Sequence, residues 1–411
     1  MENNYTEYME NNMWSFIDKL DEMESDQEYQ TFIEFLNSDE FRSFGEGLAD
    51  LICQKDKGVE ITAKNLEKYL KEKCEVNGIK LSDIGSRNTF KNWFDGVRPD
   101  KKSVNREKMF ALAFALNLNI DEVKYLFHNV YLDRAFDCRN YKEAVYYYCI
   151  VNEYDFKRAQ DMILAIENNE NKESGEKRHT LSISREIENV KNDEDLIEWI
   201  CKRWNNFQFN NDAAVRNLNE LFKRAKTEAI EEYENKMGET DHISKESNAF
   251  LYYVVLEQFP EKNADKKFTS VFDRNSNINK EIRTNFPSTS GFCDIERRFM
   301  SASTDKDYDS LRKNIILLKF YTFFSEACKA LAKIKTENSV AYERMRTRYQ
   351  GAFFAELNDL LRECGMPELY MANPYDLLFL ICMHAHNPID ILRSIVIEIK
   401  YPDEESILDM G

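Results

Sequence analysis

The chain is 411 residues long, with 43% hydrophobic and 13% aromatic residues, which is enough apolar material for two or three ordinary cores and excludes intrinsic disorder as its default state. Its formal net charge is -18, so any affinity for a polyanion has to come from a local patch. Only 12 Gly and 7 Pro occur, which disfavours turn-rich β architectures and predicts long helices on short connectors.

The nine cysteines are scattered and form no CxxC pair, so neither a disulfide framework nor a zinc ribbon is implied, and reduced thiols are expected. The opening MENNYTEYMENNMW lacks the basic region and apolar core of a signal peptide, and apolar runs such as Leu377 to Met383 are far too short to span a membrane. A cytoplasmic protein without a membrane segment is the expectation.

In chain order, residues 1–53 read as short acidic helices. Fourteen Asp/Glu face only Lys19 and Arg42 there, and Phe16, Leu20 and Met23, then Phe32, Phe35 and Leu36, recur at helical spacing. Such a segment is either a solvated outer face or an acidic surface able to cover a basic neighbour. The sign reverses over 54–109, where fourteen Lys/Arg oppose nine Asp/Glu. Stripes at Leu66, Tyr69 and Leu70, at Phe90, Trp93 and Phe94, and at Met109, Leu112, Ala113 and Leu116 predict three helices. Ala144, Val145, Tyr148 and Cys149 mark another between 141 and 166. The tyrosines of its NYKEAVYYYCIVNEYDF run are read as helical core rather than as a base-stacking platform.

Residues 167–195, polar and broken by Ser174-Gly175, read as a linker or mobile loop. From 196 to 411 helical periodicity returns, and Ile395 to Tyr401 alternates like a single strand. The predicted fold is mainly α and multi-helical, with at most that minor strand near the C-terminus. Its segments are 1–53, the module with flanking helices 54–166, the linker 167–195 and the helical region 196–411.

The stretch IGSRNTFKNWFDGVRP followed by REKMFALAFALNLNIDEVKYLF resembles the Cro/C1-type (lambda-repressor-like) helix-turn-helix over about residues 54–128. Gly85-Ser86 match the turn, Thr89, Trp93 and Gly96 the second helix and its stop, Arg98-Pro99 the basic-Pro pair, and Leu112, Ala113, Ala115, Leu116 and Leu118 the last helix. Independently of the resemblance, Ser86 suits an N-cap, and a helix burying Phe90, Trp93 and Phe94 turns Arg87, Asn88, Lys91 and Asn92 outward. Arg and Asn are the side chains suited to guanine and adenine edges in the major groove, while Arg98, Lys101 and Lys102 are placed for phosphate. The resemblance implies a DNA-binding regulator of double-stranded DNA, of the kind found in mobile elements and defence loci. The expected Gln-x-x-Leu-Ala of the motif's first helix is missing from CEVNGIKLSDIG, which instead holds the turn signal Asn77-Gly78. A repurposed helical scaffold or inhibitor that meets protein is therefore the alternative.

A similar arrangement at 285–324 suggests a second, diverged unit: Arg312-Lys313 opens a helix with Ile316, Leu318 and Phe320, after a segment carrying Phe292, Ile295, Arg297, Arg298 and Phe299. Partner binding or self-association is expected of the C-terminal region. No nucleotide-binding loop, nucleophile elbow or HExxH motif occurs. His384-x-His386 points in two directions on a helix and reads as a polar helix end rather than a metal site. Asp390 with Glu398-x-Lys400 superficially matches a metal-dependent nuclease, but that chemistry needs a surrounding sheet. No enzyme activity, cofactor or metal is therefore expected.

Overall fold

The computed structural model describes residues 31–32, 34, 42–100, 103–136, 140–173, 185–204, 207, 212–237, 248–256, 282, 286–287, 289–293, 308–335, 339–364, 366–371 and 373–400. Every regular element among them is helical, and the chain divides into two compact units.

One unit spans Arg42–Asn210. It contains α1 (Phe44–Lys55), α2 (Leu66–Val76), a 3-10 turn (Leu81–Asp83), α3 (Arg87–Phe94), α4 (Ser103–Ala115), α5 (Ile120–Tyr125), a π-helical turn (Leu126–Tyr131), α6 (Tyr141–Val151), α7 (Phe156–Glu167) and α8 (Asp193–Cys201). Short polar residues start these helices. Ser43 with Glu46 and Asn119 with Glu122 form reciprocal capping boxes, and Asn140, Asp155 and Asn192 each accept a bond from a first-turn amide. Where α2 and α4 stop, Gly78 (φ 65) and Asn117 (φ 50) take the left-handed conformation. The following amides, of Ile79 and Leu118, then close back onto Cys74 and Ala113.

All the helices of this unit share one core. The predicted stripes of α2, α4 and α6 lie in it, with Leu66, Leu70, Met109, Leu112, Tyr146, Tyr148 and Cys149 buried. The predicted segment boundaries at 53/54, 166/167 and 195/196 do not separate compact units. The acidic helix α1 packs through Phe44, Leu48, Leu51 and Ile52, and α8 through Leu196 and Ile200. Part of the predicted linker is likewise fixed: Ile187 is buried, and the Glu173 amide and carbonyl bond to Cys201 and Trp204. Residues 174–184 lie outside the described residues. The core also encloses charge. Arg106 is clamped by Glu143, with Nε–Oε1 at 2.6 Å, and by Asp133 at 2.6 Å; such a pair holds position because separating it would strand a buried charge.

The second unit takes the rest of the chain apart from Thr304–Lys306, which groups with the first. Its elements are α9 (Asp212–Met237), α10 (Asn248–Leu256), α11 (Thr289–Cys293), α12 (Tyr308–Lys335), α13 (Ser339–Glu363), α14 (Pro374–Cys382) and α15 (Pro388–Lys400). The 28-residue α12, about 42 Å long, is its spine. Phe320 and Phe324 of α12 meet Phe353 of α13 at 5.4 and 5.0 Å, and Phe320 meets Phe379 of α14 at 5.2 Å.

Two sequence expectations change here. The segment from Ile395 is the second half of helix α15, not a strand: Ile391, Leu392, Ile395 and Val396 are buried at helical spacing, and the β-branched run merely imitates alternation. Arg312 and Lys313, which open the helix of the supposed second unit, are buried rather than presented outward. Arg312 is buried and bonds Asp376 through both terminal nitrogens at 2.7 and 2.6 Å. Ile316, Leu318 and Phe320 are buried in the long spine, and Phe292 is buried too. Ile295, Arg297, Arg298 and Phe299 lie outside the described residues, as do Phe16, Leu20, Met23, Phe35 and Leu36.

Glu232 of α9 is the polar hub of this unit. It accepts both terminal nitrogens of Arg393 (2.8 and 2.9 Å), the Tyr321 hydroxyl (2.9 Å) and Lys236 Nζ (2.7 Å), joining α9, α12 and α15. Burial alone would raise its pKa, but the hydrogen bonds and charges of Arg393 and Lys236 prevail and hold it near 2. A depressed folded pKa contributes stability above the ordinary value of 4.5 that is lost as pH falls toward 2. The stability gap between wild type and Glu232→Gln is therefore expected to be widest above that value and to close toward pH 2, as read by thermal unfolding across the range. A gap independent of pH would contradict the role given to Glu232.

Candidate nucleic-acid interface

The geometry of α3 follows from what it buries. Phe90 and Trp93 are 1% and 2% exposed. The Trp93 ring meets Phe44 of α1 edge-on at 4.6 Å and Phe90 at 5.1 Å. Phe94 lies over Gly45, where a Cβ would come within 2.6 Å of the ring, so α1 and α3 approach more closely than any side chain at 45 would allow. The helix begins at Ser86, whose hydroxyl accepts the Thr89 amide while the Thr89 hydroxyl accepts the Ser86 amide. It ends at Gly96, at φ 83, with the Val97 amide closing on Asn92 O at 2.9 Å.

With that side committed, Arg87, Asn88, Lys91 and Asn92 are all exposed, as the spacing predicts. The Arg87 side chain is 87% exposed, with Nε 3.8 Å from Glu67 Oε2 on α2. A contact so long and so wet restrains Arg87 weakly. The face thus presents two cations and two amides within two helical turns, with the donor and acceptor types that read base edges.

Arg98 departs from its expected role. The residue is 8% exposed, and its guanidinium donates to the Val130 carbonyl, in the π-helical turn, and to Arg42 O at 2.7 Å. The Tyr131 hydroxyl closes the same corner on Asp100 O. Arg98 is a brace between the loop after α3, the π-turn and the start of α1, and it is not free to meet phosphate. A basic residue before proline carries no sign of which carbonyls it will find, so the sequence could not reveal this. Lys101 and Lys102 lie outside the described residues.

From Asn77 to Gly85, where the expected motif would place its first helix, no α-helix forms. Between the end of α2 and Ser86 stands a single three-residue 3-10 turn where a helix-turn-helix carries the helix that crosses the nucleic-acid backbone. The Asn77 side chain, part of the turn signal, bonds Ala115 O at 2.9 Å and fastens the end of α2 to the end of α4. The acidic helix α1 lies against the buried side of α3, so it does not cover the Arg87–Asn92 face.

Charge is unevenly shared along the chain. Of 56 Lys/Arg and 74 Asp/Glu, 28 and 29 fall within residues 42–210, leaving 28 and 45 for the rest. The unit carrying α3 is almost neutral, and the acidity belongs to the remainder. Its chemistry is otherwise quiet. Burial pushes the Cys74 thiol up to about 11 and the Cys149 thiol up to about 12, which suits packing and not nucleophilic attack. Among the described residues no group of three or more His, Cys, Asp or Glu could hold a metal ion. In the second unit His386 stacks on Tyr342, and Asp390 lies on helix α15, with no strand among the described residues. No family model, curated protein or solved structure matches this chain.

Replacing Arg98 by Ala is expected to destabilise the unit by about 1–3 kcal/mol, because buried carbonyls lose their donor, while leaving the salt dependence of any polyanion binding unchanged. Urea unfolding and a salt titration of the same variant check both halves. A weakened salt slope at unchanged stability would restore the phosphate-contact role.

Proposed function

We propose that residues 42–210 bind double-stranded DNA through the exposed face of α3, and that the protein acts as a DNA-binding regulator. The observation that carries this reading is the sidedness of α3. One side is locked into the core by Phe90 and Trp93, and the other holds Arg87, Asn88, Lys91 and Asn92 exposed together. Arg and Asn can each bond a base edge through two atoms, and Lys91 supplies a mobile positive charge. The near-neutral balance of residues 42–210 supports the reading, since the patch acts within a unit that does not itself strongly repel a polyanion.

A second reading is favoured by two specific observations, the internal position of Arg98 and the 3-10 turn in place of a backbone-crossing helix. Both remove contacts that would anchor α3 on a duplex. In that reading the same face meets an acidic protein surface, and the module is a scaffold or inhibitor.

Fluorescence anisotropy with a mixed pool of duplex DNA, titrated from about 50 to about 300 mM salt, separates the two. DNA binding predicts affinity that falls steeply with salt, and a double variant, Arg87→Ala with Lys91→Ala, whose log–log slope is shallower by about 2. If the wild type does not bind even at the lowest salt, the DNA reading fails and the scaffold reading stands.

A further inference from the structure

Helix α13 of the second unit carries a face that its own packing does not use. Tyr342, Arg346, Gln350, Phe353, Leu357 and Leu361 are buried on one side. On the opposite side Val340, Arg344, Thr347, Arg348, Gly351, Phe354 and Ala355 are exposed. At about 100° per residue they fall within an arc of about 120°, running some four turns along the helix.

Three local choices on this arc work against an isolated helix. Arg344 and Arg348, one turn apart, repel each other, and neither makes an ion pair with any described residue. Gly351 sits mid-helix with nothing within 4 Å of where a Cβ would be, so no neighbour in the fold requires a glycine there. Val340 and Phe354 are 69% and 41% exposed. Each residue is unfavourable on a bare surface, and each is suited to a second helix lying across it: apolar anchors at the ends, a gap for close backbone approach between them, and two unneutralised cations alongside.

We propose that this face is a docking surface for an acidic amphipathic helix of a partner protein. Charge complementarity identifies the occupant. The arc holds no acidic residue, although outside residues 42–210 the acids outnumber the bases by 45 to 28. The partner's apolar stripe covers Val340 and Phe354, its backbone closes on Gly351, and its carboxylates pair with Arg344 and Arg348. The proposal is independent of the DNA reading, because it uses no residue of α3.

The test uses the full chain and a fluorescein-labelled synthetic peptide about three heptads long, with a leucine stripe and flanking glutamates, beside a control peptide in which lysines replace the glutamates. The acidic peptide binds wild type. Joint Arg344→Glu and Arg348→Glu substitution weakens that binding at least about tenfold and brings in the lysine peptide instead. Gly351→Gln raises the melting temperature, since a better helix former replaces glycine, yet weakens peptide binding, a split that a purely structural role for Gly351 would not produce. Binding of neither peptide to wild type overturns the proposal. So does a monomer–dimer equilibrium, measured by sedimentation, that the double Arg variant abolishes without a matching effect on peptide binding, because the occupant is then a second copy. Duplex DNA binding lost in the double Arg variant would overturn it in favour of nucleic acid.

Discussion

The burial of Phe90 and Trp93 is the constraint on which the candidate interface depends. An eight-residue helix is too short to persist alone, so α3 exists because one side is fixed against Phe44 and its ends are closed by Ser86 and Gly96. Once that side is fixed, the outward direction of Arg87, Asn88, Lys91 and Asn92 is not a separate choice. The close approach at Gly45 and the brace from Arg98 to Arg42 O and Val130 O serve the same end, holding α1, the loop after α3 and the π-turn in one piece. The recognition-like surface is thus a by-product of packing, which is why its sidedness was readable and its external partner is not.

What the sequence made legible follows the same division. Helical periodicity, N-cap chemistry and the scarcity of Gly and Pro are local signals, and they located α2, α3, α4 and α6 together with the exposed residues of α3. Long-range pairings leave no such trace. The spacing around Arg98 suits a surface cation and a buried brace equally, and only the positions of Val130 and Arg42 decide between them. Arg312 is the same case, since its partner Asp376 lies 64 positions away. The β-branched run at Ile395 misled because alternation over a few residues does not distinguish a strand from a buried helix face. The boundary near residue 53 misled because charge is a property of the outer surface, while the apolar residues of α1 determine which core it joins.

The two units differ in character. Residues 42–210 combine a near balance of charge with an α3 that offers cations and amides outward. The remainder holds the acidity and is organised by buried ion pairs, Glu232 with Arg393 and Arg312 with Asp376, each joining helices distant in sequence. Such pairs specify which helix meets which more than they add net stability. In sequence, the excess of acidic residues lies outside residues 42–210, while α3 lies within the near-neutral stretch.

The central claim is that the outward side of α3 is the contacting surface. Its most direct test is site-specific photocrosslinking to duplex DNA, with a photoreactive side chain placed in turn at Asn88, at Asn92 and at Val151, an exposed position on α6. The account predicts crosslinks from Asn88 and Asn92 and none from Val151. Equal yields at all three positions, or a crosslink from Val151 alone, would contradict it.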